Sequence, residues 1–140
     1  MNKDIADRWV AALRSGKYAQ TRGCLEVVKE EDDTPVGFCC LGVLSCLAVE
    51  GGIVERTIDE RGVAASFHPK NSDPYYGSIS FLPGVVRDWA GINSDDGRFG
   101  GVNDSLTRMN DGEKELDGTI VNQKSFAEIA DFIEQNYMSL

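Results

Sequence analysis

The apolar positions near both ends of the chain recur at helical spacing. Near the N-terminus they form one face of a predicted helix: Ile5, Trp9, Ala12 and Leu13. Near the C-terminus the same spacing recurs at Phe126, Ile129, Ala130 and Ile133. Ser15-Gly16 is a stop signal for the first helix, and Ser125 with Glu128 is a capping box that begins the last one. The pattern therefore predicts an amphipathic helix at each end of the chain.

A third helix is predicted in the uncharged stretch between residues 37 and 48, which contains three of the four cysteines. This helix is expected to run from about Cys39 to Glu50 and to stop at Gly51-Gly52. Gly42 lies in its middle, where a glycine weakens a helix and commonly marks close approach by another backbone. The sequence thus predicts a central, packed helix.

Short strands are predicted between and after these helices. A charged turn at 29–35 separates two strand-like segments and predicts a hairpin that leads directly into the cysteine helix. Further strands are expected at Ile53 to Ile58, Val63 to Phe67 and Ser78 to Phe81, followed by a short helix from Pro83 to Trp89, an element around Leu106 and Met109, and an exposed loop from Asp111 to Asn122. The expected fold is one α+β domain over residues 1–140, a small antiparallel sheet with packed helices.

The net charge of the chain argues against general binding of DNA or RNA. The chain has 23 acidic and 14 basic residues and a formal net charge of −9, whereas DNA and RNA binding requires a basic face. The same acidity permits a protein that occupies a basic surface of another protein. Because no apolar signal region or membrane-spanning run is found, we expect a soluble cytoplasmic protein with no membrane partner.

The cysteines carry no recognisable chemical pattern. Cys39 and Cys40 are neighbours, which does not match metal-ligand spacing, and the single histidine, His68, stands alone. We therefore expect free, buried thiols that act as small hydrophobes, with no metal, no cofactor and no catalytic residues. A Cys/His hydrolase that uses His68 is the enzyme alternative, and disulfides are a minor one.

Three segments in order resemble a family of small proteins from phages and prophages: residues 9–20, the Phe38-Cys39-Cys40-Leu41-Gly42-Val43-Leu44 core, and Met109-Asn110-Asp111 followed by residues 125–130. Within such proteins the chain resembles the first Thoeris anti-defence family. Members of that family are small oligomeric sponges that sequester cyclic ADP-ribose signals made by host TIR-domain proteins.

The resemblance implies tight binding of a cyclic nucleotide without turnover. Phe81 would stack on adenine, and Arg108 would cover the other face of the base or reach a phosphate. Arg22 is a second phosphate candidate. Small polar residues that would donate to base or sugar are Asn93, Asn103 and Ser105.

The resemblance also implies a homo-oligomer. Closed symmetry would bring Arg22 of one chain near Phe81 of its neighbour, and this would make the electrostatic potential at the ligand site positive in an otherwise acidic protein. A second site for cyclic oligonucleotides on a symmetry axis would draw on four other arginines: Arg56, Arg61, Arg87 and Arg98.

Each site residue has an ordinary structural alternative. Phe81 can belong to the core, Arg22 and Arg108 can pair with surface carboxylates, and asparagines are favoured in turns for their backbone geometry alone. Two other functions stay open at this point. One is an acidic inhibitor that occupies the basic surface of a host defence effector, and the other is a structural or regulatory phage protein without a ligand.

Overall fold

The computed structural model describes residues 1–101 and 104–140. Its helices are α1 (Lys3–Arg14), α2 (Cys40–Glu50), α3 (Gly84–Ala90), α4 (Leu106–Asp111) and α5 (Phe126–Asn136). Its strands are β1 (Glu26–Val28), β2 (Pro35–Phe38), β3 (Val54–Ile58), β4 (Ala65–Pro69), β5 (Glu113–Lys114) and β6 (Ile120–Val121). Short 3₁₀ helices cover Pro74–Tyr76 and Tyr137–Ser139. The α+β class is confirmed.

The strands form three separate two-stranded ladders, which corrects the prediction of one sheet. The antiparallel pairs are β1 with β2, β3 with β4 and β5 with β6. A single bridge between Val27 and Ala64 joins the first two hairpins. Each of these strands pairs along its length with one partner, so the described residues form no continuous sheet over the core.

Two local predictions are wrong. Residues 78–81 are not a strand: only Ser78 pairs, with Phe67, and the Phe81 N–H donates to the Ser78 hydroxyl at 3.1 Å. The predicted loop from Asp111 to Asn122 contains the β5–β6 hairpin. Its turn is closed by the Thr119 N–H, which donates to the Asp117 carboxylate at 2.9 Å.

Helix α2 lies at the centre of the core, as its uncharged sequence predicts. Trp9 of α1 is fully buried and donates from Nε1 to the Cys40 carbonyl at 2.9 Å. The backbone of Leu25 crosses α2 at Gly42, where a Cβ would lie 1.7 Å from the Leu25 carbonyl oxygen. The close approach predicted at Gly42 is therefore confirmed.

The outer helices begin and end with the predicted signals. Ser125 and Glu128 form both hydrogen bonds of the capping box at α5, and α1 ends at its C-cap Ser15, which is followed by Gly16 in the left-handed conformation, with φ of 71°. α5 packs along α1. Among the described residues, no helix combines the length and apolarity needed to cross a bilayer.

Candidate functional site

A fully buried asparagine connects the segments on which the resemblance rests. The Asn110 side chain accepts from the Cys40 N–H at 3.1 Å and from the Gln20 amide at 3.1 Å. It donates from Nδ2 to the Thr21 carbonyl and to the Asp111 carboxylate, both at 2.8 Å. Both polar atoms of this side chain are thus hydrogen-bonded, as burial requires.

Gln20 extends this network to the last helix. Its amide nitrogen donates to the Lys124 carbonyl at 2.8 Å, and its amide oxygen accepts from the Phe126 N–H at 3.0 Å. The Phe126 and Cys40 N–H groups both belong to first turns of helices, where the backbone has no intrahelical acceptor. Asn110 and Gln20 therefore hold the starts of α2 and α5 against α4.

A groove of about 280 Å³ lies on the surface beside this network, and we call it the Phe81 groove. It is lined by Phe81, Asp96, Ser105, Thr107, Arg108, Asp111 and Gly112. Backbone hydrogen bonds bring these segments together. The Leu82 N–H donates to the Asp95 carbonyl at 3.0 Å, and the Thr107 N–H donates to the Asp96 carbonyl at 3.2 Å. Three of the six residues implied by the resemblance thus share one groove.

Phe81 is 48% exposed, so its ring is not part of the core. Ser105 is the N-cap of α4, and its hydroxyl accepts from the Arg108 N–H at 3.2 Å. The Arg108 guanidinium pairs with Glu113 at 2.8 Å, with each side chain 41% exposed. Arg108 and Ser105 also line a smaller depression of about 170 Å³ that contains Phe99. Arg108 therefore stands between two depressions, each with an aromatic ring.

Two carboxylates lower the positive potential of the Phe81 groove. Asp111 accepts from Asn110 and from the Gly23 N–H, the latter at 3.3 Å. Burial alone would raise the pKa of Asp96, but hydrogen bonding from Ser94 and Arg98 outweighs it and holds that pKa below its usual value. Asp96 is therefore negatively charged at neutral pH in the groove that Arg108 also lines.

The remaining residues implied by the resemblance have different placements. Arg22 is exposed and precedes Gly23, whose N–H meets Asp111 at the edge of the groove. Asn93 is exposed and does not line the Phe81 groove. Its N–H donates to the Leu140 carbonyl at 2.6 Å. Asn103 lies outside the described residues.

The four arginines considered for a second site each pair with a carboxylate. Arg61, Arg87 and Arg98 contact acidic residues one or two positions away in sequence, Asp59, Asp88 and Asp96. Arg56 makes a two-pronged pair with the buried Glu26, at 2.7 and 2.6 Å. That pair neutralises the charge of Glu26 inside the fold. Removing Arg56 would leave the Glu26 carboxylate buried and uncompensated.

The thiols of α2 and its N-cap are poorly suited to nucleophilic chemistry. Burial raises the pKa of Cys39 to about 12 and that of Cys46 to about 12, and it raises the pKa of Cys40 well above its usual value. The Cys39 sulfur accepts from the Gly42 N–H at 3.3 Å and caps α2. His68 is buried in β4, with Nδ1 3.3 Å from the Pro69 carbonyl oxygen. Within the described parts of the chain, no cluster of three or more histidine, cysteine or acidic side chains could hold a metal ion.

Cys39, Cys40 and Cys46 are expected to resist alkylation in the native protein. A thiol pKa near 12 leaves a thiolate fraction on the order of a thousandfold below that of an ordinary cysteine. Iodoacetamide at pH 7.5, followed by peptide mass spectrometry, should modify them at least about a hundredfold more slowly than in denaturant. Fast native labelling of Cys39 or Cys46 would contradict this assignment and reopen the hydrolase alternative.

Several residues of this region were not predicted from sequence. Gln20 and Asn110 lie within the segments that carry the resemblance, but they are 90 residues apart and no periodicity links them. Asp96 and Asp111 lie in polar stretches that look like solvated turns in the sequence. One signal could have identified Asn110. It is a polar residue four positions after Leu106, which puts both residues on the same face of the short helix α4.

Comparison with known proteins gives one match. No curated protein and no solved structure matches the chain. A family model described as "Domain of unknown function (DUF8296)" matches residues 1–137, which include every α-helix and strand described above and both sides of the Phe81 groove. The chain belongs to the DUF8296 family.

Proposed function

We propose that this protein binds a cyclic ADP-ribose-type signalling nucleotide in the Phe81 groove and holds it without cleaving it. The observation that carries the proposal is the half-exposed Phe81 ring in the same groove as the Arg108 guanidinium and the Ser105 hydroxyl. An aromatic ring and a guanidinium plane are suited to the two faces of a base. The resemblance to phage anti-defence sponges supplies the ligand class.

The Arg108–Glu113 pair does not prevent Arg108 from binding a ligand. Both side chains are 41% exposed, and exposed ion pairs contribute only about 0–1 kcal/mol. A ligand phosphate can therefore replace Glu113 at little cost, and a charge-assisted hydrogen bond to phosphate is stronger than most neutral hydrogen bonds. Arg108 is available either to stack on a base or to meet a phosphate.

The carboxylates of the groove restrict how a nucleotide can lie in it. Asp96 and Asp111 repel phosphate but accept hydrogen bonds from ribose hydroxyls or a base amino group. The proposed orientation puts the base and ribose over Phe81 and directs the phosphates toward the edge, where Arg22 lies. In the proposed homo-oligomer, a cation from a second copy would complete the phosphate site.

The proposal describes a binder rather than an enzyme. Among the described residues, the thiols of α2 and its N-cap have pKa values raised by burial, which argues against a cysteine nucleophile. A sponge needs only high affinity for the nucleotide and a sufficient amount of protein, because it acts by lowering the concentration of free signalling nucleotide. The proposed biological role is that of a phage protein in the host cytoplasm that opposes a nucleotide-signalled defence.

Substitution at the groove tests this proposal. Phe81→Ala and Arg108→Ala should each weaken binding of a cyclic ADP-ribose isomer by at least about tenfold in isothermal titration calorimetry, because stacking on an aromatic contributes about 1–3 kcal/mol per base. Tyr76→Ala is the aromatic control and Arg87→Ala the arginine control, since both residues lie outside the groove and Arg87 is also paired with a carboxylate. Equal losses in the controls, or no loss in the groove variants, would contradict the proposal.

A further inference from the structure

A second groove, which we call the Tyr75 groove, lies between the β3–β4 hairpin and the 3₁₀ helix Pro74–Tyr76. It has a volume of about 400 Å³, larger than the Phe81 groove. Polar and aromatic residues line it, including Thr57, Glu60, Ser66, Asp73 and Tyr75. None of these residues belongs to the Phe81 groove, so the argument below is independent of the proposed nucleotide site.

The Tyr75 ring is presented to solvent by an ordered turn. Its side chain is among the most exposed apolar groups, with 87% of the residue accessible. The Tyr75 N–H donates to the Asp73 carboxylate at 2.9 Å, and the Gly77 N–H donates to the Pro74 carbonyl at 2.9 Å. The Tyr76 ring meets it edge-on with centroids 5.7 Å apart. The ring is therefore held at the groove with its face available for contact.

Two hydroxyl groups line the floor of the groove. Thr57 and Ser66 are directly opposite one another in the β3–β4 ladder, so their side chains lie on the same face of the hairpin. Ser66 is only 8% exposed, and its Oγ lies so close to Gly77 that a Cβ there would come within 2.0 Å of it. Thr57 Oγ1 is buried and has no hydrogen-bond partner among the described residues. Because both hydroxyls are buried, they close the floor of the groove and leave ligand contacts to the residues around its rim.

The carboxylates that line the Tyr75 groove favour a positively charged ligand. Asp59, Glu60 and Asp73 all contribute to its lining. Arg61 neutralises Asp59 at 2.9 Å, which leaves Glu60 and Asp73 as the carboxylates that face a ligand. With a chain charge of −9, the surrounding field also attracts positive groups.

We infer that the Tyr75 groove docks an arginine side chain of a basic protein partner. A guanidinium plane stacks on a tyrosine face and, from that position, has enough N–H donors to reach both Glu60 and Asp73. A quaternary ammonium has no N–H donor for these carboxylates, and a lysine ammonium cannot stack as a plane. The groove is an open surface feature, so an arginine gains stable contact when the protein that carries it rests on the acidic surface around the groove.

Short peptides test the chemistry directly. The probe is a capped pentapeptide with one arginine among glycines, and the comparison peptides carry lysine or citrulline at the same position. In ¹H–¹⁵N spectra of the full chain, the arginine peptide should shift the amides of residues 57–60, 66, 73 and 75–77. It should bind at least fivefold more tightly than the lysine peptide, and the neutral citrulline peptide should cause no shift. Shifts elsewhere, or equal shifts with citrulline, would overturn the inference.

Two neighbouring tyrosines give a matched pair of variants. Tyr75→Ala should reduce arginine-peptide affinity at least fivefold, whereas Tyr76→Ala should reduce it by a clearly smaller factor, because it removes an edge contact to Tyr75 but no residue that lines the groove. Both residues are exposed, at 87% and 74%, so both variants should fold. Phe81→Ala should leave peptide binding unchanged, which separates this inference from the nucleotide proposal. Equal losses in the two tyrosine variants would overturn the role of Tyr75.

Discussion

Replacing Gly42 by alanine is expected to prevent the protein from folding. The new Cβ would lie 1.7 Å from the Leu25 carbonyl oxygen, far inside van der Waals contact. That carbonyl cannot move away easily, because it accepts from the Cys39 N–H at 3.1 Å and Leu25 is fully buried. Separating α2 from this segment would open the centre of the core. We expect a loss of more than about 4 kcal/mol in the free energy of unfolding.

Gly84→Ala is the matched control for this substitution. Gly84 is the first residue of α3, and a Cβ there would meet nothing within 4 Å. This variant should be as stable as the original chain or slightly more so, because alanine has the higher helix propensity. Urea denaturation followed by circular dichroism compares the two. A cooperative Gly42→Ala transition at the midpoint of the original protein would show that the close approach at Gly42 is wrong.

Asn110→Leu should be the second most damaging change, with a loss of about 3–5 kcal/mol. Leucine has the same branched arrangement of side-chain heavy atoms as asparagine, although it is larger, but it can neither accept from the Cys40 N–H nor donate to the Thr21 carbonyl. These groups are part of a buried network, so each would lose its partner without gaining water. The unfolding midpoint in denaturant should fall well below that of the original chain while the slope stays similar.

Asn93→Leu is the control for Asn110→Leu, because Asn93 is exposed and its contact to Leu140 uses only the backbone N–H. Its stability should change by less than about 0.5 kcal/mol. If Asn110→Leu were equally mild, the hydrogen bonds at Asn110 would not hold the helix starts together. A large loss confined to Asn110 would support the network as the feature that positions α4 beside the Phe81 groove.

The sequence predicts elements whose signals are local. Periodicity and caps place α1 and α5 because an amphipathic face and a capping box are each contained within a few residues. Gly42 is informative in a different way, since a glycine in an apolar helix indicates a close backbone neighbour without identifying it, and that neighbour is Leu25. The strand predicted at residues 78–81 is wrong because Ser78 uses its hydroxyl to close a turn on the Phe81 N–H. Such local competition between side chain and backbone is not visible in hydrophobic alternation.

The candidate site is less accessible to sequence reasoning because it is built from distant segments. Phe81, Ser105 and Arg108 come from two regions that backbone hydrogen bonds to residues 95 and 96 bring together. The carboxylates Asp96 and Asp111 enter the same groove and change its electrostatic character, which no spacing rule predicts. Gln20 and Asn110 meet across 90 residues. The resemblance named the residues that share the groove, but it gave no indication of these carboxylates.

The central claim is that the chain retains a nucleotide signal intact, and calorimetric titration of the purified protein with cyclic ADP-ribose isomers tests it most directly. The bound ligand would then be released by heat and identified by mass spectrometry. The account predicts saturable binding and recovery of unaltered ligand in the amount bound. Recovery of a cleaved product would identify an enzyme, and the lack of heat with every isomer would contradict the nucleotide proposal and turn attention to protein partners.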